Sequence, residues 1–340
     1  MRVPARYSSR PVARVSPRAV VASIVSRYFT DLSAAAAARY SISNPVTANN
    51  DFEITVGFYT TDSLNRQSLW GSVGDFGTFA LLNALSISGM LQISVGGTVV
   101  CYESVNAHDG KYHTLTVRRV SGIVKTIYDG VVIATNQSTG ILSVQQIGGN
   151  NFGRYFTGII SDVKIMSAGV PLLDLPLDTP IPASQIIPNN AYGNPGAPAS
   201  VMAVNVTIAN SMAWYYSGEY WISDELSNFN NAHSDIDTAN PSYDIIYWDV
   251  YASQAQKKYI ISATVDYTGG VIFPGVGWSS SSGIPSTYRA TPSGPGKYIF
   301  GGIFVATGWL FRLFAGVPNL ATSADLTWSN ITVKRILEVA

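Results

Sequence analysis

From Tyr112 to Thr135 the chain alternates apolar and polar residues in two runs, "YHTLTVRRV" and "IVKTIYDGVVIAT", broken only by the turn dipeptides Ser121-Gly122 and Asp129-Gly130. A period of two puts successive side chains on opposite faces, which is the pattern of a half-buried antiparallel strand and fits no helix. Asp129-Gly130 is the strongest short-range hairpin signal in the chain, because a type I′ turn needs positive φ at both central residues. "GNNFGRYFTGIISDVKIM" follows as a Gly/Asn turn and a returning strand over 155–166, with Phe156, Ile160, Val163 and Ile165 as core candidates.

The same order of elements extends further back. "FEITVGFYT" at 52–60, "DGKYHTLTVRR" at 109–119, "YDGVVIA" at 128–134, "IGG" at 147–149 and "FTGIISDVKI" at 156–165 together resemble the laminin-G/concanavalin-A-like jelly roll, over roughly residues 40–175. The resemblance implies a β-sandwich of the kind that hosts lectins, adhesion modules and glycoside hydrolases. Its motifs are structural, so they bear on fold and leave function open.

A chain of 340 residues exceeds what one sandwich core usually fills, and with 12% charged residues and abundant Gly, Tyr, Val and Ile it suits strands and tight turns. The expected fold class is all-β: two jelly-roll sandwiches, an extended N-terminal arm over 1–39 and a Pro-rich linker. The first sandwich is assigned to 40–170, the linker to 171–200 and the second sandwich to 201–340. Prolines 171, 176, 180, 182, 188, 195 and 198 deny the linker a regular helix or sheet. Leu172, Leu173, Leu175 and Leu177 are apolar enough that it could also lie wrapped on the first sandwich. In the second unit "KKYIISATVDYT", "GKYIFGGIFVATGWLFRLFAG" and "ADLTWSNITVKRIL" are β-rich runs between Gly/Pro/Ser turns, and they resemble the carbohydrate-binding-module type of sandwich.

The zero net charge hides an asymmetry: residues 1–30 hold six arginines and no acid, leaving 15 basic against 21 acidic residues in the remainder. Arg2, Arg6, Arg10, Arg14 and Arg18 recur at every fourth position, but Pro4, Pro11 and Pro17 interrupt any helix, so the segment reads as an extended arm. It has four readings: a basic tail on nucleic acid, a transit-type peptide, a strap docked on a partner, and solvated disorder. The strap is carried forward, with these five arginines as the assembly anchor and nucleic acid set aside as partner. A secretory signal is disfavoured, since the apolar stretch 19–25 is only seven residues long. No stretch reaches the roughly 20 apolar residues of a membrane helix, so membrane insertion is not expected.

Chemistry-bearing patterns are sparse. Retaining glycosidases need two carboxylates about 5 Å apart, most simply as i, i+2 acids on one strand face. Here Glu53 and Glu103 stand alone, and Asp224-Glu225 are adjacent and so point apart. No catalytic residue is assigned and no enzyme activity is expected. His108, His113 and His233 lack metal-ligand spacing, so no metal or cofactor is expected, and the lone Cys101 reads as a small buried hydrophobe. The densest aromatic clustering lies after residue 210. Sugar C–H faces pack on aromatic rings while hydroxyls seek polar tips. On that ground Trp278 and Tyr288, both expected in Gly/Ser loops, with Tyr220, Trp221, Asn230 and Asp235, are the candidate glycan-binding residues.

The arrangement of laminin-G-like module, Pro-rich connector and carbohydrate-module-like tail resembles bacteriophage virion surface proteins. It implies a non-enzymatic tail-fibre, spike or head-decoration protein, located in the virion after assembly in the host cytoplasm. Its expected partners are other virion proteins through residues 1–30, further copies of itself, and a host-surface polysaccharide. A free bacterial carbohydrate-binding or adhesion protein is the alternative, and a polysaccharide hydrolase the third reading.

Overall fold

The computed structural model describes residues 26–72, 77–208, 211–216, 220–223, 227–236, 245–252, 257–267, 273–279, 296–305, 310–316 and 324–340. Strands of the first half are β1 (Ser26–Asp31), β2 (Arg39–Ala48), β3 (Phe52–Tyr59), β4 (Gln67–Gly71), β5 (Phe79–Leu82), β6 (Met90–Val95), β7 (Thr98–Ser104), β8 (Lys111–Val120), β9 (Ile123–Tyr128), β10 (Val131–Gln137), β11 (Leu142–Ile147), β12 (Ile159–Ser167), β13 (Val170–Asp174), β14 (Ile186–Pro188) and β15 (Ser200–Val204). The second half continues with β16 (Ser211–Tyr216), β17 (Tyr220–Ser223), β18 (Ser227–Ile236), β19 (Ile245–Ala252), β20 (Lys258–Tyr267), β21 (Phe273–Ser279), β22 (Gly296–Val305), β23 (Leu310–Gly316) and β24 (Ala324–Val339). The protein is all-β.

An eight-stranded sheet runs β14-β15-β2-β11-β4-β5-β6-β7, and a thirteen-stranded sheet runs β10-β9-β8-β3-β12-β1-β16-β17-β24-β20-β22, with β13 on β12 and β18 on β24. The eight strands and the β10-to-β12 half of the long sheet enclose one core, in which Tyr40, Trp70, Ile93 and Val144 from one sheet meet Phe58, Leu115, Val117 and Ile165 from the other. Each such fully buried aliphatic or Phe side chain contributes about 1.5–3 kcal/mol. A separate three-stranded sheet, β19-β23-β21, belongs to the second half.

The alternating run forms the expected hairpins. Asp129 and Gly130 take φ of 47° and 78°, and Ser121-Gly122 repeats that geometry at 50° and 80° between Val120 and Ile123. Phe156, Ile160, Val163 and Ile165 are all buried. The step of three from Ile160 to Val163 reflects a bulge: Asp162 adopts φ 52° and the β12–β3 register shifts between Ser161 and Lys164, which returns Val163 to the core face. Asn330, φ 51°, does the same in β24, where Trp328 and Ile331 are both buried and the register with β20 shifts.

Residues 171–200 do not run free between two bodies. Leu172, Leu173, Leu175, Leu177, Ile181 and Ile187 are part of the first core, and β14 and β15 extend the eight-stranded sheet through β2. Pro171 and Pro188 lie on β13 and β14, each paired along one edge only, and the other prolines of the segment fall outside strands.

The halves share a sheet. β1 pairs with β12 at Thr30 and Asp31 and with β16 from Ser26 to Thr30, and the end of β24 pairs in parallel with β8 at Glu338 and Val339, so two short pairings bridge them. At that seam Asp31 is a partly buried anion. Its Oδ1 accepts from the Ser33 amide at 2.9 Å, and its Oδ2 accepts from Arg335 Nη1 at 2.8 Å and Lys257 Nζ at 3.4 Å. Burial alone would raise the Asp31 carboxyl, but Lys257 and Arg335 hold it well below the usual carboxylate range.

Candidate functional site

Five turns gather at one end of the first sandwich: 49–51, 96–97, 121–122, 138–141 and 168–169. They frame four adjoining hollows of about 450, 530, 730 and 460 Å3, with Thr139 lining three of them. Asn49, Asn50, Asp51, Ser121, Ser138 and Thr139 supply amide, carboxylate and hydroxyl groups. Val99, Val120, Ile123 and Ile141 stand 43–50% exposed around them. The rim therefore combines apolar patches with polar groups.

The rim is held from inside by Arg119. Alternation on β8 sends this residue inward after His113, Leu115 and Val117, and it is buried. Its guanidinium stacks over Phe52 at 4.7 Å and donates to two turns, from Nε to the Asn50 carbonyl at 3.1 Å, from Nη2 to the same oxygen and from Nη1 to the Gly140 carbonyl. Asp51 Oδ1 accepts from the Ser121 amide at 2.8 Å, the Ser138 amide donates to the Gly122 carbonyl at 3.0 Å, and Thr78 Oγ1 donates to the Ile141 carbonyl at 3.3 Å. Backbone groups of neighbouring turns are thus tied to one another, with Thr139 and Asn49 among the residues lining the hollows.

The opposite end of the sandwich is also polar, and its side chains bond largely to one another. His113 is buried, with Nδ1 2.8 Å from Asp129 Oδ2 and Nε2 3.0 Å from Asp109 Oδ1, and its ring stacks on Tyr128 at 5.1 Å. Tyr112 bonds through its hydroxyl to Ser161 and Asp162, and Arg27 Nη2 donates to Asp162 Oδ1 at 2.8 Å. Burial opposes ionisation of Asp162, yet the hydrogen bonds from Arg27 and Tyr112 keep its carboxyl below the ordinary range. His113 is thus packed and bonded through both ring nitrogens. Cys101 is buried, and burial pushes its thiol up to about 11.

The glycan candidates of the second half are not gathered into one place by the described backbone. Tyr220 and Trp221 are neighbours on β17, opposite Glu338 and Leu337 of β24. Asn230 and Asp235 lie on β18, with Asp235 opposite Asp325. Trp278, expected in a loop, sits within β21 opposite Phe311, because "FPGVGWS" pairs along its whole length with β23 despite its Pro and Gly. Tyr288 lies outside the described residues, as do Arg2, Arg6, Arg10, Arg14 and Arg18.

Sequence reasoning passed over the rim. Its only linear trace is that "TANND", "SG" and "NQSTG" are short polar turns closing apolar strands, which marks a turn without telling which turns share an end.

No protein-family model matches the chain, and no curated protein does either. Among solved structures, domains LG4-5 of the mouse laminin alpha1 chain overlay 97% of this chain and 94% of their own, at 12% identity and a TM-score of 0.33. The infectious bursal disease virus Gt strain overlays 94% and 77% at 10% identity and a TM-score of 0.21. The VP2 protein of the same virus, as a D431N mutant in derived T=1 particles, overlays 88% and 75% at 11% identity and a TM-score of 0.23. At such scores these likenesses carry no functional inference.

Proposed function

We propose that the protein is a non-catalytic virion component of the phage tail-fibre, spike or decoration type. In this reading its Arg-rich N-terminal segment docks on neighbouring virion proteins, and the loop rim of its first sandwich takes a surface glycan. The observation that supports the binding half most directly is the rim itself: hydroxyl and amide groups beside exposed Val and Ile, on turns fixed by Arg119. A pre-fixed set of loops loses little conformational freedom on binding, which suits weak, polar ligands such as sugars. The docking half rests on the charge pattern of residues 1–30, six arginines without an acid.

A glycan array probed with the full chain and with Thr139→Arg tests the first half. The expected result is binding by the parent and loss of at least about tenfold in the variant, equivalent to about 1.4 kcal/mol, with an unchanged unfolding midpoint. An empty array, or equal binding by the variant, overturns the rim assignment. Deleting residues 1–25, which stops short of β1, tests the second: the product should keep its far-ultraviolet β spectrum and fail to join the particle, whereas full incorporation overturns the strap. Glycan binding by a chain that never copurifies with particles would instead support the free-adhesin reading.

A further inference from the structure

The seam cluster carries more positive charge than it can neutralise. Arg335 and Lys257 are 5% and 4% exposed, and both face Asp31 Oδ2, so two buried cations share one carboxylate. Aromatic rings stand beside both cations. The Arg335 guanidinium lies 5.6 Å from the Tyr59 ring and 5.3 Å from the Trp214 ring, and Lys257 Nζ lies 5.9 Å from the Tyr59 ring. Four donor-bearing atoms of this cluster are buried and find no acceptor: Arg335 Nε, Arg335 Nη2, Trp214 Nε1 and the Tyr59 hydroxyl.

Buried charges in proteins are paired, and buried donors are nearly always satisfied. Guanidinium and indole N–H groups can only donate, so the missing group must accept. Water would satisfy donors but leave the charge. A divalent oxyanion would overshoot it.

We infer that the seam binds one small inorganic monoanion of the chloride class, held by Arg335, Lys257, Trp214 and Tyr59, which completes the junction between the two halves of the chain. The site is independent of the glycan and virion reading. Lys257 agrees with it: desolvation first and repulsion from Arg335 second push its ammonium down to about 8, the condition that a neighbouring anion relieves.

The test is thermal unfolding of the full chain at constant ionic strength, with sodium chloride replaced stepwise by sodium gluconate. The midpoint should rise and saturate with chloride. At a hundredfold excess over the dissociation constant, the ratio of unfolded to folded chain should fall about a hundredfold. Lys257→Met removes the excess charge and should abolish the rise, while Lys257→Arg should retain it. Chloride NMR line broadening by the unmodified protein, displaced by bromide, gives a second reading that does not depend on any variant folding. Equal midpoints in chloride and gluconate, a saturable rise that survives in Lys257→Met, or absence of broadening would each overturn the proposal.

Discussion

Arg119 and Lys257 are buried cations that the structure treats in opposite ways. Arg119 donates to backbone carbonyls of Asn50 and Gly140, so Arg119→Met strips two turns of their donor. Leaving such acceptors unpaired costs about 1–3 kcal/mol, and equilibrium denaturation should show a loss in that range with faster amide exchange at 138–140. Arg119→Lys should recover little of it, because an ammonium cannot span both turns as the planar fork does. Lys257 costs stability instead of adding it. Its folded value of about 8 lies below the ordinary 10.5, so between those values the unfolded chain binds more protons and stability rises with pH. Tyr59, raised by burial to about 12 from 10.0, acts the other way above pH 10. In gluconate buffer the unfolding midpoint should therefore climb from pH 8 to about 9, above which the buried Cys101 thiol, held up at about 11, works against the rise, and Lys257→Met should lose the climb. A midpoint that falls across the window in the parent would contradict the burial of a strained ammonium.

Strands and their turns were the most legible level. The Asp129-Gly130 and Ser121-Gly122 hairpins follow from composition alone, because few other dipeptides accept positive φ twice in succession. Gly130→Val puts a β-branched residue at φ 78°, and should destabilise by about 1–3 kcal/mol without moving the β9–β10 register. Matched chemical shifts outside residues 127–133, combined with a lower denaturation midpoint, would check this. What strict alternation hides is the pair of bulges. At Asp162 and Asn330 the inward face changes parity, so a period of two read through either position assigns one side of the strand wrongly. Trp278 escaped for a related reason, since its Gly and Pro neighbours look like loop punctuation until β23 pairs with them. The rim and the seam were barely legible. Their members are separated by as many as 304 positions, as in Asp31 and Arg335, and only the folded sheet brings them together. The sole hint was a charge at an inward position of "VKRIL", flanked by buried Val333 and Leu337.

At the scale of the whole molecule, the division of the chain at its prolines separates stretches of sequence that the sheet then rejoins. The 171–200 segment finishes the first core, and β1, preceding that core in sequence, carries the pairing to β16 and so to the second half. The seam between halves is narrow: Phe29, Tyr59, Ile159, Trp214 and Leu337 form its apolar cluster, with Phe29 and Trp214 edge to face at 5.7 Å. Asp31 sits beside it as the anion that both buried cations require. Asp31→Asn leaves two cations without a carboxylate, and breaking a buried pair from one side costs about 3–5 kcal/mol. That penalty falls on the junction, whose apolar cluster is separate from that of the first core. Calorimetry should accordingly change from one cooperative transition in the parent to two in Asp31→Asn. The earlier transition belongs to the second half, and the later one keeps the near-ultraviolet signal of Trp70. Lys257→Met combined with Asp31→Asn should restore part of the lost coupling by removing one of the stranded cations. A variant that still unfolds in one step, at a midpoint lowered uniformly, would show that the two halves are joined by their shared backbone ladder and not by the buried charges.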